Sequence, residues 1–150
     1  GADCTPALLA DPHSGRVAAC HAGWRGVAAG ILEEAIEHLE RKGSRREHLQ
    51  VALGPAVSGT NYQVKRSVSE QLGSIERLQA AGAVLHDPQP GRDRLDIRIA
   101  AAQQLSQLGL KEWQIHRCPL CTVTEAELFH SWRRDQVKAV QWSSIVSQAD

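Results

Sequence analysis

The sequence predicts an α/β fold. Short apolar runs that read as strands alternate with longer stretches whose apolar residues fall at helical spacing, and turn-forming clusters separate the two kinds. No internal repeat, low-complexity tract or linker interrupts that order. The 150 residues therefore read as one domain, 1–150, long enough for one hydrophobic core.

The first strand is the apolar run Pro6 to Ala10. Asp11-Pro12-His13-Ser14-Gly15 carries turn chemistry, and Arg16 to Ala22 is a second strand, so the chain opens on a hairpin. Gly23-Trp24-Arg25-Gly26 breaks it. A helix is expected from about Val27 to Lys42, with Val27, Ile31, Ala35 and Leu39 in register and Gly43 as its stop. Leu49 to Leu53 is a strand, followed by a glycine-containing loop to Tyr62. Ser67-Val68-Ser69-Glu70 has the form of a capping box, opening a helix that runs to about Ala81. His86 to Asp93 reads as loop, and Leu95 to Leu108 as a helix stopped by Gly109. Trp113 to Cys118 is a strand, and Val137 to Val146 is expected to contain another. Between these lies a short helix or an irregular loop from Pro119 to Gln136.

Composition excludes more than it assigns. The 17 basic and 17 acidic residues balance, so no basic excess exists to neutralise nucleic-acid phosphates. The cluster from Arg41-Lys42 to Arg45-Arg46 suits a helix end, where cations complement the dipole. No apolar run approaches the roughly 20 residues needed to span a bilayer. Four cysteines without a signal peptide suggest a reducing compartment, where thiols bind metals or do chemistry. Cytoplasmic localisation is the expectation.

The chemistry is expected at the hairpin. If Asp11 to Ser14 form the turn, residues whose numbers sum to about 25 face one another, which sets Cys4 opposite His21 on one face. Such a pair can share a soft metal such as zinc, or act as a Cys–His nucleophile pair. A buried structural cysteine beside a surface histidine fits the pattern equally. Downstream of His21, the glycines of Ala22-Gly23-Trp24-Arg25-Gly26 permit close backbone approach to a ligand. The helix start and Arg25 there suit phosphate or carboxylate.

Five segments together resemble a known family. They are Ala2-Asp3-Cys4-Thr5-Pro6, His21-Ala22-Gly23-Trp24-Arg25-Gly26, Gly54-Pro55-Ala56, Cys121-Thr122 and Phe129-His130-Ser131-Trp132-Arg133-Arg134-Asp135. They look like the laccase-domain family, also called the polyphenol oxidase family, whose members have been assigned purine nucleoside phosphorylase and adenosine deaminase activity. The resemblance implies an α/β/β/α sandwich with mixed sheets and a zinc held by two histidines and one cysteine. Cys4 matches the cysteine of the ADCxP motif and His21 the histidine of HAGWRG. The family's other histidine belongs to a QVHG-like motif upstream of ADCxP, and nothing here corresponds to it. The expectation is that the amino-terminal portion is missing or supplied from outside this sequence. Family members often carry a cysteine pair before a YEV, where this chain has Thr60-Asn61 before Tyr62-Gln63-Val64.

Copper chemistry fits poorly, since the seven histidines are scattered, no HxH occurs and methionine is absent. Zinc is the expected cofactor, with copper the lesser alternative. Cys118-Pro119-Leu120-Cys121 lacks a second CxxC, so a Cys₄ zinc would have to recruit Cys4 and Cys20. Cys121 is instead placed in the family's CT segment and Cys118 is read as a buried thiol. Histidines 13, 38, 48, 86, 116 and 130 read as surface or loop residues.

These readings converge on a zinc-dependent enzyme acting on purine nucleosides. Zinc with three protein ligands keeps a position open, which suits deamination at C6 of adenine. Phosphate held by Arg25 and the helix start suits phosphorolysis. Cys4, His21 and Arg25 are the expected catalytic residues, Cys4 and His21 the zinc ligands, and Asp3 and Arg133 the substrate contacts. The expected partners are a purine nucleoside and phosphate, with neither nucleic acid nor membrane. Two rivals remain: a metal-free Cys–His hydrolase, and a non-catalytic binding domain. A third ligand from Cys121 or His130 is the alternative to one from outside the chain.

Overall fold

The computed structural model describes residues 1–148 and contains two sheets with helices, a mixed α/β fold. Its first element, β1 (Thr5–Asp11), alternates strictly. Thr5, Ala7, Leu9 and Asp11 are buried, whereas Pro6, Leu8 and Ala10 are half-buried on the other face. A four-residue loop returns the chain into β2 (Arg16–Ala22). The Asp11 carboxylate accepts the His13 N–H at 2.9 Å and the Ser14 hydroxyl at 2.8 Å. Because Asp11 pairs with Arg16 inside the ladder, the register differs from the expected one by two residues. Pro6 faces His21, and Thr5 faces Ala22. A shift of two preserves which way side chains point, so Cys4 and His21 lie diagonally on the same side.

The single helix expected from Val27 to Lys42 is two helices, α1 (Trp24–Ala28) and α2 (Ile31–Arg41). Gly30 between them has φ 79°, a left-handed conformation that interrupts the helical hydrogen bonding. The face of α2 bearing Leu32, Ala35, Ile36 and Leu39 is buried. Strand β3 (Gln50–Leu53) then pairs antiparallel with β1.

A second correction concerns residues 63–95. The chain forms β4 (Gln63–Lys65), then α3 (Arg66–Ser69), a 3₁₀ turn (Glu70–Leu72) and α4 (Ile75–Ala80) in place of one helix. Gly73, at φ 135°, separates the last two, and no side-chain cap is made at the start of α3. The expected loop from His86 to Asp93 is a β-turn region flanked by β5 (Val84–His86) and β6 (Arg92–Leu95). With β4 these form a three-stranded antiparallel sheet, ordered β4-β6-β5.

Helix α5 (Ile97–Gln107) starts at Asp96, whose carboxylate accepts the N–H groups of Arg98 and Ile99. Strand β7 (Ile115–Arg117) runs parallel to β3 and completes the four-stranded sheet β2-β1-β3-β7. A short α6 (Trp132–Asp135) follows. No strand occurs between Val137 and Val146, contrary to expectation. That stretch exposes Val137, Val140, Trp142 and Val146 and leaves no apolar face to bury in a sheet. It is tied to the amino terminus instead, through reciprocal backbone bonds between Gly1 and Gln141.

Candidate active site

The end of the hairpin opposite its turn is a corner built around Gly23. Cys4 immediately precedes β1 and His21 sits near the end of β2. A Cβ placed on Gly23 would lie 2.9 Å from Cys4 Sγ and 3.4 Å from His21 Nε2. Both ligand-type atoms therefore converge on a space that only glycine leaves open. Burial and the neighbouring Asp3 carboxylate push the Cys4 thiol up, against the opposing charge of Arg25.

Asp3 fastens distant segments to this corner. Its carboxylate accepts hydrogen bonds from Thr122 Oγ1 (2.7 Å), Ser131 Oγ (2.8 Å) and the Arg133 backbone N–H (2.9 Å). Its carbonyl accepts the Val57 N–H at 3.0 Å. One side chain thus joins the first motif, the CT segment and the FHSWRRD segment.

Beside Asp3 and Cys4 opens a cavity of about 300 Å³ whose other walls include Trp24, Tyr62, Ile97, Trp132 and Arg133. That volume lies at the small end of ligand pockets, which span roughly 300–1,000 Å³. The Arg133 guanidinium lies 4.4 Å from the Tyr62 ring centroid, and Arg25 lies 4.3 Å from that of Trp24. Burial and the nearby Cys4 push the Tyr62 phenol up, with Arg133 and Arg25 opposing. Cys4 also borders a shallower hollow of about 200 Å³ on the outer side, with Gly1, Pro6, His21 and Trp142. A larger cavity, about 370 Å³ between α5 and β7, holds neither cysteine nor histidine.

The structure brings Cys4 and His21 together, and sets Asp3 and Arg133 in the adjoining cavity. Arg25 is exposed and stacked on Trp24. Its helix has only five residues, too short for an appreciable macrodipole, so the helix start adds little to the charge of Arg25. Tyr62 and Trp132, given no role by the sequence, supply aromatic walls.

Neither expected substitute for a third ligand joins the corner. His130 is exposed, and Cys121 lies against Ser58, whose N–H points at its Sγ at 3.2 Å. Among the described residues, no group of three metal-ligating side chains within mutual reach includes Cys4 or His21. The one such group is Asp11, His13 and His48, at the far end of the hairpin. Cys118 is half-buried rather than buried. Among the described residues, no helix is long and apolar enough to cross a membrane.

Comparison with known proteins gives consistent results. Residues 1–148 match the family described as multi-copper polyphenol oxidoreductase laccase. A purine nucleoside phosphorylase of Synechocystis is 42% identical over 162 aligned residues, covering 97% of this chain and 61% of that protein. One of Deinococcus radiodurans is 38% identical, covering 89% of this chain and 49% of its own length. The chain thus spans about half to three fifths of these relatives. Among solved structures, YfiH of Bacillus licheniformis superposes with a TM-score of 0.81 at 33% identity, covering 91% of this chain and 51% of that one. YlmD of Geobacillus stearothermophilus gives 0.81 at 30% identity, covering 91% and 50%.

Proposed function

This chain belongs to the polyphenol oxidoreductase laccase family, and we propose that it carries much of the active site of a zinc-dependent purine nucleoside phosphorylase. The observation that carries the reading is the convergence of Cys4 Sγ and His21 Nε2 at Gly23, beside a cavity walled by aromatic rings and arginine. Relatives that align over most of this chain are named purine nucleoside phosphorylases. Activity, substrate and partners are proposals here, because the chain spans only part of those proteins.

A half-buried thiol and an exposed imidazole that converge on one glycine fit a borderline ion such as zinc, whose usual donors they are. Bound there, zinc supplies a Lewis acid and a positive charge that keeps a coordinating thiol ionised. Among the described residues no third ligand stands within mutual reach of Cys4 and His21, so the reading takes the third ligand from beyond them.

The remaining residues bind and orient. Trp24, Tyr62 and Trp132 offer apolar faces on which a purine can stack. Arg25 and Arg133 offer guanidinium groups for the phosphate that attacks the anomeric carbon as the base departs with the glycosidic electron pair. Asp3, with three donors on its carboxylate, holds the walls in place. Adenosine deamination at the same site is part of the proposal, and loss of ammonia without phosphate would reveal it.

A metal-free Cys–His hydrolase is the rival reading, and retention of turnover after zinc is stripped by a chelator would favour it. The test uses the complete protein, with zinc content and phosphate-dependent cleavage of inosine and adenosine measured together. With the exposed His13 and the half-buried His48 both replaced by alanine so that only this corner is read, Cys4→Ser should remove both. Full zinc and full turnover in that variant would overturn the proposal.

A further inference from the structure

We propose that Asp11, His13 and His48 form a second metal site, independent of the first, for a divalent transition ion such as zinc or nickel. The site lies where the β1–β2 turn meets the 3₁₀ turn Arg46–His48 that leads into β3. Ligand atoms of the three residues lie within 4.8 Å of one another. Both imidazole Nδ1 atoms face the same carboxylate oxygen, Asp11 Oδ1, at 3.9 Å from His13 and 4.0 Å from His48. Donors held about 2 Å from one ion stand roughly 3–4 Å apart, so only a small closure is required.

Those two distances are too long for hydrogen bonds. A capped turn accounts for Asp11, which accepts the His13 N–H and the Ser14 hydroxyl. It does not account for two imidazole nitrogens standing about 4 Å from the same oxygen, which also accepts the Ser14 N–H at 3.4 Å. Their rings are stacked, with centroids 3.9 Å apart and planes at 25°. A cation between them and the carboxylate would satisfy all three.

The site is also held in place. The Asp11 side chain is 2% exposed. Burial opposes its ionisation, yet the hydrogen bonds from Ser14, His13 and Ser44 outweigh burial and hold the carboxyl at about 2. On the other side, Arg46 is clamped to both Glu40 oxygens at 2.9 and 2.7 Å and to the Leu108 carbonyl at 2.8 Å. Gln114 donates to the carbonyls of Arg46 and Leu49, on either side of His48. His13 and His48 stay partly exposed, leaving an entry path and room for water ligands. Six residues of β1, Thr5 to Ala10, separate Cys4 from Asp11 by about 20 Å, so the two sites cannot share an ion.

The experiment measures nickel(II) and zinc(II) by equilibrium dialysis against the complete protein carrying Cys4→Ser, which disables the first site. About one equivalent should remain. It should vanish when His13→Ala and His48→Ala are added, and persist with His38→Ala, an exposed histidine on α2. Metal at 100-fold over its Kd should raise the Tm by roughly 5–10 °C, and the double replacement should abolish that rise. As a second reading, copper(II) bound to the protein carrying Cys4→Ser and His21→Ala should show an electron paramagnetic resonance component with two nitrogen ligands that disappears when His13→Ala and His48→Ala are added. The proposal is overturned if the bound equivalents, or the two-nitrogen component, are the same with and without those histidines. Neither result depends on whether zinc sits at Cys4 and His21.

Discussion

A single missing methyl group at Gly23 leaves room for the thiol and the imidazole to meet. Gly23→Ala would place its Cβ 2.9 Å from Cys4 Sγ and drive the thiol aside. We expect zinc affinity at that corner to fall at least ~10-fold, with Tm almost unchanged, measured by chelator competition and thermal melting. Cys121 offers a second test. Burial would raise its thiol, but hydrogen bonds from Ser58 and the nearby backbone N–H groups prevail and lower it to about 7. Alkylation of Cys121 should therefore be half-maximal near that pH, while Cys20, raised by burial, reacts only under more alkaline conditions. The sign for stability follows from a folded pKa below the ordinary thiol value. The thiolate's contribution is full above that value and fades as pH falls towards about 7. Cys121→Ser should flatten that slope in denaturant titrations. Cys4, His21, Arg25, Asp3 and Arg133 were legible as candidates because they sit in compact motifs. His13 and His48 were not, since only the hairpin turn and the return from α2 bring them together.

Among the secondary-structure elements, α5 is the one whose start has the clearest chemical cause. Asp96 accepts two N–H groups of its own helix and, through Oδ2, the Gly59 N–H at 3.1 Å. Asp96→Ala should cost about 2 kcal/mol, read as a lower denaturation midpoint. Because Gly59 adjoins Ser58, the same change should also raise the pH of half-maximal Cys121 alkylation. The opening hairpin was visible in the sequence through its turn residues and apolar runs. Its register came out two residues away because Asp11 pairs within the ladder while also capping the turn. The three-stranded sheet was not visible, for a physical reason. Its strands have only three or four residues, too few for a periodic signal, and β6 reads Arg-Asp-Arg-Leu. The charge there is absorbed in pairs: Asp93 with Arg66 at 3.0 Å, and Arg94 with Asp87 at 2.6 Å. The helices also broke at Gly30 and Gly73, where positive φ overrode an otherwise helical pattern.

Over the molecule as a whole, the corner at Gly23 joins two hollows, an inner aromatic one and an outer one beside Gly1 and Trp142. Two ligands alone hold zinc weakly. These 150 residues by themselves should therefore bind little zinc at Cys4 and His21 and turn over no nucleoside. A chain extended upstream with a QVHG-like histidine should recover both. Metal analysis of the short chain must be done with His13 and His48 replaced, because their site would otherwise contribute its own ion.

The coordination shell of the bound zinc tests the central claim most directly. X-ray absorption at the zinc edge, on the complete protein carrying His13→Ala and His48→Ala, should show one sulfur at about 2.3 Å alongside nitrogen or oxygen at about 2.0–2.1 Å. The sulfur should vanish with Cys4→Ser. A shell of nitrogen and oxygen alone, or a sulfur that survives that substitution, would contradict the assignment of zinc to Cys4 and His21.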